Sequence, residues 1–326
     1  MAKDRLLSRV AERMYWLGRY LERTENTARL LNVYGNLLYD LPRNVDFGWA
    51  TLIEIFGAEA EFTEHYTKRD ERNVVKFMIA DEWNPTSTAA CAQFARENAR
   101  ASREVIPQVA FETINIIRDY VQSKGPGALG RRSRGEFCAD IVRHCQLFSG
   151  QLQSTMSHDA AYQFIRLGQS IERADMTSRI IDTGYATEFA SRSNGDAPAV
   201  DEAAGFESAL WLSVLRSVSA LQMYRRHYRE QIAPADVVEF LMKNEDFPRS
   251  LAYCLGAARF ALAKLPENKR ILNRVYRANS ALRRGDTAEL MEGSIREFID
   301  DFQLNLVKVH TRIDEAWFSH ARPRGG

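Results

Sequence analysis

Gly18, Glu22, Glu25 and Arg29 fall within about 60° of one another on a helix turning 100° per residue. Tyr15 extends the same stripe, and Glu25 to Arg29 is an i,i+4 pair suited to a salt bridge. The same types return 150 residues later as Gly168, Glu172, Asp175 and Arg179, again with an arginine, Arg173, beside the first carboxylate as Arg23 is beside Glu22. Carboxylates spaced i,i+3 on two helices could clamp a metal pair, hold a ligand or serve as acid and base. Ferritin-like metal centres use Glu-x-x-His with further Glu ligands. Here no His stands three residues after these carboxylates, and an Arg stands one turn on from each pair. A charge network at a helix interface is the plainest reading and a substrate or ligand site the alternative; no metal is assigned. Charges buried there must be paired, because an uncompensated ion costs several kcal/mol.

A second polar set starts at Asn84, Pro85 and Ser87. Asn84 fits an N-cap and Pro85 the first helical position. The helix then runs on as ARENARASRE, with Arg96, Arg100 and Arg103 on one face and Glu97 and Asn98 between them. Three guanidiniums on a stripe can grip carboxylates or phosphates, or neutralise Glu22 and Glu25 within the fold. The second is favoured. The candidate polar groove is therefore Glu22, Arg23, Glu25, Arg29, Asn84, Ser87, Arg96, Glu97, Asn98, Arg100, Arg103, Glu172, Arg173, Asp175 and Arg179.

Other motifs are weaker. SKGPGALGRRSRG (123–135) matches G-x-G-x-x-G, but it follows a helical pattern, contains Pro126 and lacks a closing G-K-[ST]. It reads as a basic, mobile connector. The six histidines do not converge with other ligands, and no nucleophile triad can be drawn from spacing. Cys91, Cys138, Cys145 and Cys254 form no C-x-x-C pair and read as buried reduced thiols of a cytoplasmic protein. Lys plus Arg is 44 against 43 Asp plus Glu, a net charge of +1, which argues against binding nucleic acid by charge. The charged N-terminus lacks the apolar core of a secretory signal, and no apolar run is long enough to span a membrane.

The elements that position these residues are helices nearly everywhere. Helical periodicity covers 4–38, 48–57, 71–80, 86–105, 107–122, 135–155 and 160–183. It continues over 207–230, 235–243, 249–264, 268–283 and 286–318. The fold class is all-α. Residues 17–32 and 167–182 match at six of 16 positions, and 74–96 and 237–259 at ten of 23 without a gap. Trp49 and Trp211 add a third match in the same order, so the reading is a tandem duplication, about 1–156 and 157–326, in one pseudo-two-fold helical bundle. The growth in offset between matches places an insertion at 184–206, read as an exposed loop.

LSRVAERMYWLGRYLERTENTARLLN (7–32), WNPTSTAACAQFARENARASRE (83–104) and DFPRSLAYCLGAAR (246–259) resemble the bacterial alpha-E family over essentially the whole chain, in its single-domain form. The ERxENTAR (22–29) and ARENAR (95–100) elements are specific to it. The resemblance implies an α-helical domain with recurrent glutamates, matched here by Glu22 and Glu25. It also implies a setting beside a circularly permuted ATP-grasp protein and a transglutaminase-like peptidase. The function expected from it is a non-catalytic partner or scaffold in ATP-grasp-dependent formation or modification of peptide or amide bonds, with no cofactor and a peptide as a groove occupant. The alternative is an enzyme of that pathway using Glu22 or Glu25 as acid or base.

Overall fold

The computed structural model describes residues 6–40, 48–193, 200–228 and 232–319. Every regular element among them is helical. In the first half these are α1 (Ser8–Asp40), α2 (Ala50–Phe56), α3 (Glu59–His65), α4 (Glu71–Ile79), α5 (Thr88–Arg100), α6 (Gln108–Lys124) and α7 (Arg131–Thr155). The second half holds α8 (Ala160–Ser193), α9 (Val200–Ser217), α10 (Leu221–His227), α11 (Pro234–Lys243), α12 (Leu251–Ala263), α13 (Lys269–Arg284), α14 (Thr287–Met291) and α15 (Ile295–Ile313). A π-helical turn, Asp314–Phe318, ends α15 and buries Trp317 and Phe318 against the core.

The two long helices α1 and α8 pack on each other through the middle of the molecule. Around α1 the neighbours are α5 and α7, with α5 on α6 and α6 on α7. Around α8 they are α12 and α15, with α12 on α13 and α13 on α15. The same four-helix scheme therefore surrounds each long helix. The short α2 reaches across to α8, and α9 reaches across to α1, so each set is covered partly by an element from the other half.

The crossing depends on glycine. A β-carbon on Gly18 would overlap the carbonyl oxygen of Ile165, and one on Gly168 would overlap that of Tyr15. Those contacts are reciprocal at the 150-residue offset. Glycine in a helix interior costs about 1 kcal/mol against alanine, and the return is an approach of two backbones that no other residue permits. Tyr15, Leu17, Leu21, Leu167 and Ile171 fill the space beside the crossing and are fully buried.

Local chemistry sets the helix starts. Asp70 caps α4 by accepting from the Asn73 amide. Ser87 caps α5, accepting from the Ala90 amide, and Ser250 caps α12 the same way through Tyr253. The expected Asn84 cap is corrected. Asn84 lies before the helix, where its Oδ1 accepts from the Thr86 amide and its Nδ2 donates to the Phe77 carbonyl. Its place at the cap is taken by the serine present in both aligned segments, Ser87 and Ser250, so Phe247 is tolerated where the first segment has Asn84.

Three further expectations change. Much of 184–206 is helical, since α8 continues to Ser193 and α9 starts at Val200; residues 194–199 lie outside the described set. Apolar Tyr185, Phe206 and Leu210 are buried there, so both helices remain part of the core. The stretch 207–230 is interrupted after Ser217, where Ser219 adopts φ 55°, and 286–318 is interrupted at Gly293, φ 155°. Segment 123–135 is mostly helical rather than an open connector. Gly125–Gly127 forms a short 3₁₀ turn, and Arg134 is buried, pairing with Glu71 at 2.8 Å and stacking on Trp49.

Candidate functional site

The acidic stripes of α1 and α8 meet at the helix crossing. Arg173 donates from Nε and Nη2 to the two oxygens of Glu22, at 2.8 and 2.6 Å. Arg23 does the same for Glu172, at 2.6 and 3.1 Å. The Glu-Arg dipeptide on each helix thus forms a crossed pair with its counterpart, and both forks are bidentate. The pairing follows from the glycine contact. The backbones are so close that residues one turn past each glycine face the other helix.

Each carboxylate also receives a second arginine, and here the two sides differ. Arg249, from the loop before α12, donates to Glu22 at 3.1 Å, to Glu25 at 2.7 Å and to Asn26 Oδ1 at 2.7 Å. Its backbone carbonyl accepts from Thr177, which locks the loop onto α8. Thr86 stands at the matching position of the first aligned segment, and Glu172 takes its second arginine, Arg19, from α1 instead. Arg29 completes the Glu25 pair at 2.6 Å, and Arg179 pairs with Asp175 at 3.1 Å. Glu22, Glu25 and Glu172 are all buried. Five guanidiniums, Arg19, Arg23, Arg29, Arg173 and Arg249, enclose these three carboxylates. The network continues from Arg19, which donates to the Tyr15 hydroxyl, and that hydroxyl is hydrogen-bonded to His310 Nδ1 at 3.1 Å. Burial and the Arg19 charge push the His310 imidazole down, so it stays neutral there.

Burial alone would raise the carboxyls of Glu22 and Glu172. The guanidiniums outweigh it, Arg173 and Arg249 for Glu22, Arg19 and Arg23 for Glu172, and each carboxyl is pushed down to about 2. Groups held below their unfolded value stabilise the fold above that value, about 4.3 for glutamate, and lose the contribution as pH falls toward 2. We expect the unfolding free energy from urea titrations to fall between about pH 5 and about pH 2, by an amount on the order of several kcal/mol. Glu172→Gln, measured against its own value at neutral pH, should show a shallower drop.

The arginine face of α5 is not part of this network. Arg96 donates to Asn115 and pairs with Glu97, Arg100 pairs with Glu97, and Arg103 stacks on Phe111. The expectation that they neutralise Glu22 and Glu25 is corrected: they face α6 and solvent. Asn98 is half-buried on the same helix, and Asn84 and Ser87 serve the turn before it. Of the fifteen candidate residues, the structure joins Glu22, Arg23, Glu25, Arg29, Glu172 and Arg173 directly, with Asp175 and Arg179 one turn further along. Arg19, Asn26, Arg249 and His310 were missed. Arg19 was detectable, one turn before Arg23 on the same helix; Arg249 is a single arginine in a loop 227 residues from Glu22 and carried no spacing signal.

Other chemistry finds little support. Among the described residues no cluster of His, Cys, Asp and Glu is placed to hold a metal ion. All four cysteines are buried and free, and burial raises the Cys91, Cys138 and Cys254 thiols to about 12, away from nucleophilic thiolate. No helix among the described residues is long and apolar enough to cross a membrane.

An uncharacterized protein of Mycobacterium bovis and two of Mycobacterium tuberculosis are each 24% identical to this chain over 307 residues, 88% of its length. The chain spans about a third of the length of these curated relatives. No solved structure matches it. A family described as a predicted alpha-helical domain with a conserved ER motif matches residues 6–318, and Glu22-Arg23 and Glu172-Arg173 are Glu-Arg dipeptides that meet at the centre of this fold. The chain belongs to that family, Alpha-E.

Proposed function

We propose that this protein is a cytoplasmic, non-catalytic helical partner or scaffold in an ATP-grasp-dependent system that forms or modifies peptide or amide bonds. Its direct partner is a circularly permuted ATP-grasp protein, with a transglutaminase-like peptidase acting in the same pathway. The observation that carries the non-catalytic reading is the state of the recurrent glutamates. Glu22 and Glu172 are buried, doubly paired with arginine and pushed down to about 2, so neither holds a proton to donate near neutral pH. Glu25 accepts from both Arg29 and Arg249. The network is a brace. It fixes the crossing of α1 and α8, and through Arg249 it fixes the loop that starts α12.

The reading extends to the architecture. We take the matching neighbour schemes of α1 and α8, with their reciprocal glycine and Glu-Arg contacts, as the trace of a tandem duplication forming one domain. In the mycobacterial relatives the matched region is a third of a longer chain, which is in keeping with a unit that works beside others.

The test is co-expression with the ATP-grasp protein of the same organism, followed by size-exclusion chromatography and an assay of ATP-dependent amide-bond formation. A stable complex is expected. Glu22→Gln, assayed at a temperature where circular dichroism shows it folded, should keep both the complex and the turnover. Absence of a complex with both proteins folded overturns the partner reading. Loss of turnover with the complex intact overturns the non-catalytic one.

A further inference from the structure

A sizeable groove lies away from the arginine network, on the outer side of the second half. It is an open groove of about 980 Å³ between the start of α8, α12 and α13. Its floor and rims are unusual for a surface. Phe260 and Tyr276 line it and are 64% and 60% exposed, although aromatic rings of this size are normally covered. His158 and Tyr162 stack on each other at one end, 4.0 Å between centroids.

The charges along the groove are mostly positive. Arg166, Arg259, Lys264 and Arg283 line it against one acid, Glu245, which Arg283 already holds. Arg166 donates to Gln169, Lys264 lies over the Phe260 ring, and Arg259 has no carboxylate partner among the described residues. Arg96, the residue matching Arg259 in the first half, is paired with Glu97. The cations here are therefore left over after internal pairing.

We propose that this groove docks an extended acidic peptide segment of another protein. Carboxylates of the segment would meet Arg166, Arg259 and Lys264, and an apolar or aromatic side chain would lie between Phe260 and Tyr276. The near-neutral charge of the whole chain disfavours a nucleic-acid occupant. The inference is independent of the ATP-grasp reading and uses none of the residues in the Glu-Arg network.

Gly256 provides a clean test. It lines the groove from the middle of α12, and a β-carbon there meets nothing within 4 Å. Gly256→Leu should fill the groove while favouring the helix. Fluorescence anisotropy of the purified chain would be measured with a labelled Phe/Glu/Ala peptide, a Phe/Lys/Ala peptide and oligouridylate. The acidic peptide should bind saturably and in preference to the other two. Gly256→Leu and the double variant Arg259→Glu/Lys264→Glu should each weaken it by about tenfold or more, with melting temperatures unchanged. Absence of saturable binding, equal binding of the basic peptide, preference for oligouridylate, or full affinity in folded Gly256→Leu would overturn the proposal.

Discussion

Gly168→Ala is expected to destabilise the protein by more than about 4 kcal/mol, enough to deplete the folded form at growth temperature. The β-carbon would land on the Tyr15 carbonyl oxygen, and the neighbouring atoms are backbone, namely the Tyr15 carbonyl carbon and the Arg19 amide. Backbone in the middle of a long helix cannot swing aside as a side chain can. Relief requires α1 and α8 to separate, and separation would pull Arg23 from Glu172 and Arg173 from Glu22 at the same time. Gly18→Ala should behave alike, because the Ile165 carbonyl is its obstacle. Gly150 is the control. It is exposed in α7 with nothing near its missing β-carbon, so alanine there should be neutral or stabilising by up to about 1 kcal/mol. Chemical denaturation of the three variants separates a packing effect from helix propensity: equal stability of Gly168→Ala and Gly150→Ala would contradict the close crossing.

The second large effect concerns the carboxylates. Glu172→Gln is expected to cost about 3–5 kcal/mol, because it leaves Arg19 and Arg23 buried together with no anion between them. Arg249→Met should cost clearly less. Without Arg249, Glu22 still has Arg173 and Glu25 still has Arg29, and the methionine fills part of the space. The asymmetry follows from the surplus of guanidiniums over carboxylates. In a double-mutant cycle, Glu172→Gln combined with Arg23→Gln should recover part of the single loss, giving a coupling above about 1 kcal/mol. Strict additivity, or a loss in Arg249→Met as large as in Glu172→Gln, would mean the network is not organised as described.

How much of this was readable beforehand varies by residue. The Glu22/Glu172 and Gly18/Gly168 stripes were visible because helical periodicity assigns residues of one helix to one face. The serine caps of α5 and α12 were present in the aligned segments, yet Asn84 drew attention because its type fits the role equally well. Arg96 and Arg100 lie on one face of α5 as expected, whereas Arg103 falls beyond its end in a short 3₁₀ turn, Arg103–Val105, and periodicity says nothing about which neighbour that face meets. The helix turns them to α6 and solvent, and α1 takes the alanine face of α5, with Ala92, Ala95 and Ala99 buried.

Amino-acid order by itself determined the helical class, the repeated segments and the side chains each helix presents, since those depend on interactions within a few residues. Tertiary structure alone decided which arginines neutralise the glutamates. That choice rests on where the glycine crossing lets two backbones touch and where the loop carrying Arg249 comes to lie. A charge selects its partner by distance in space, and between positions more than two hundred residues apart that distance exists only once the chain has folded.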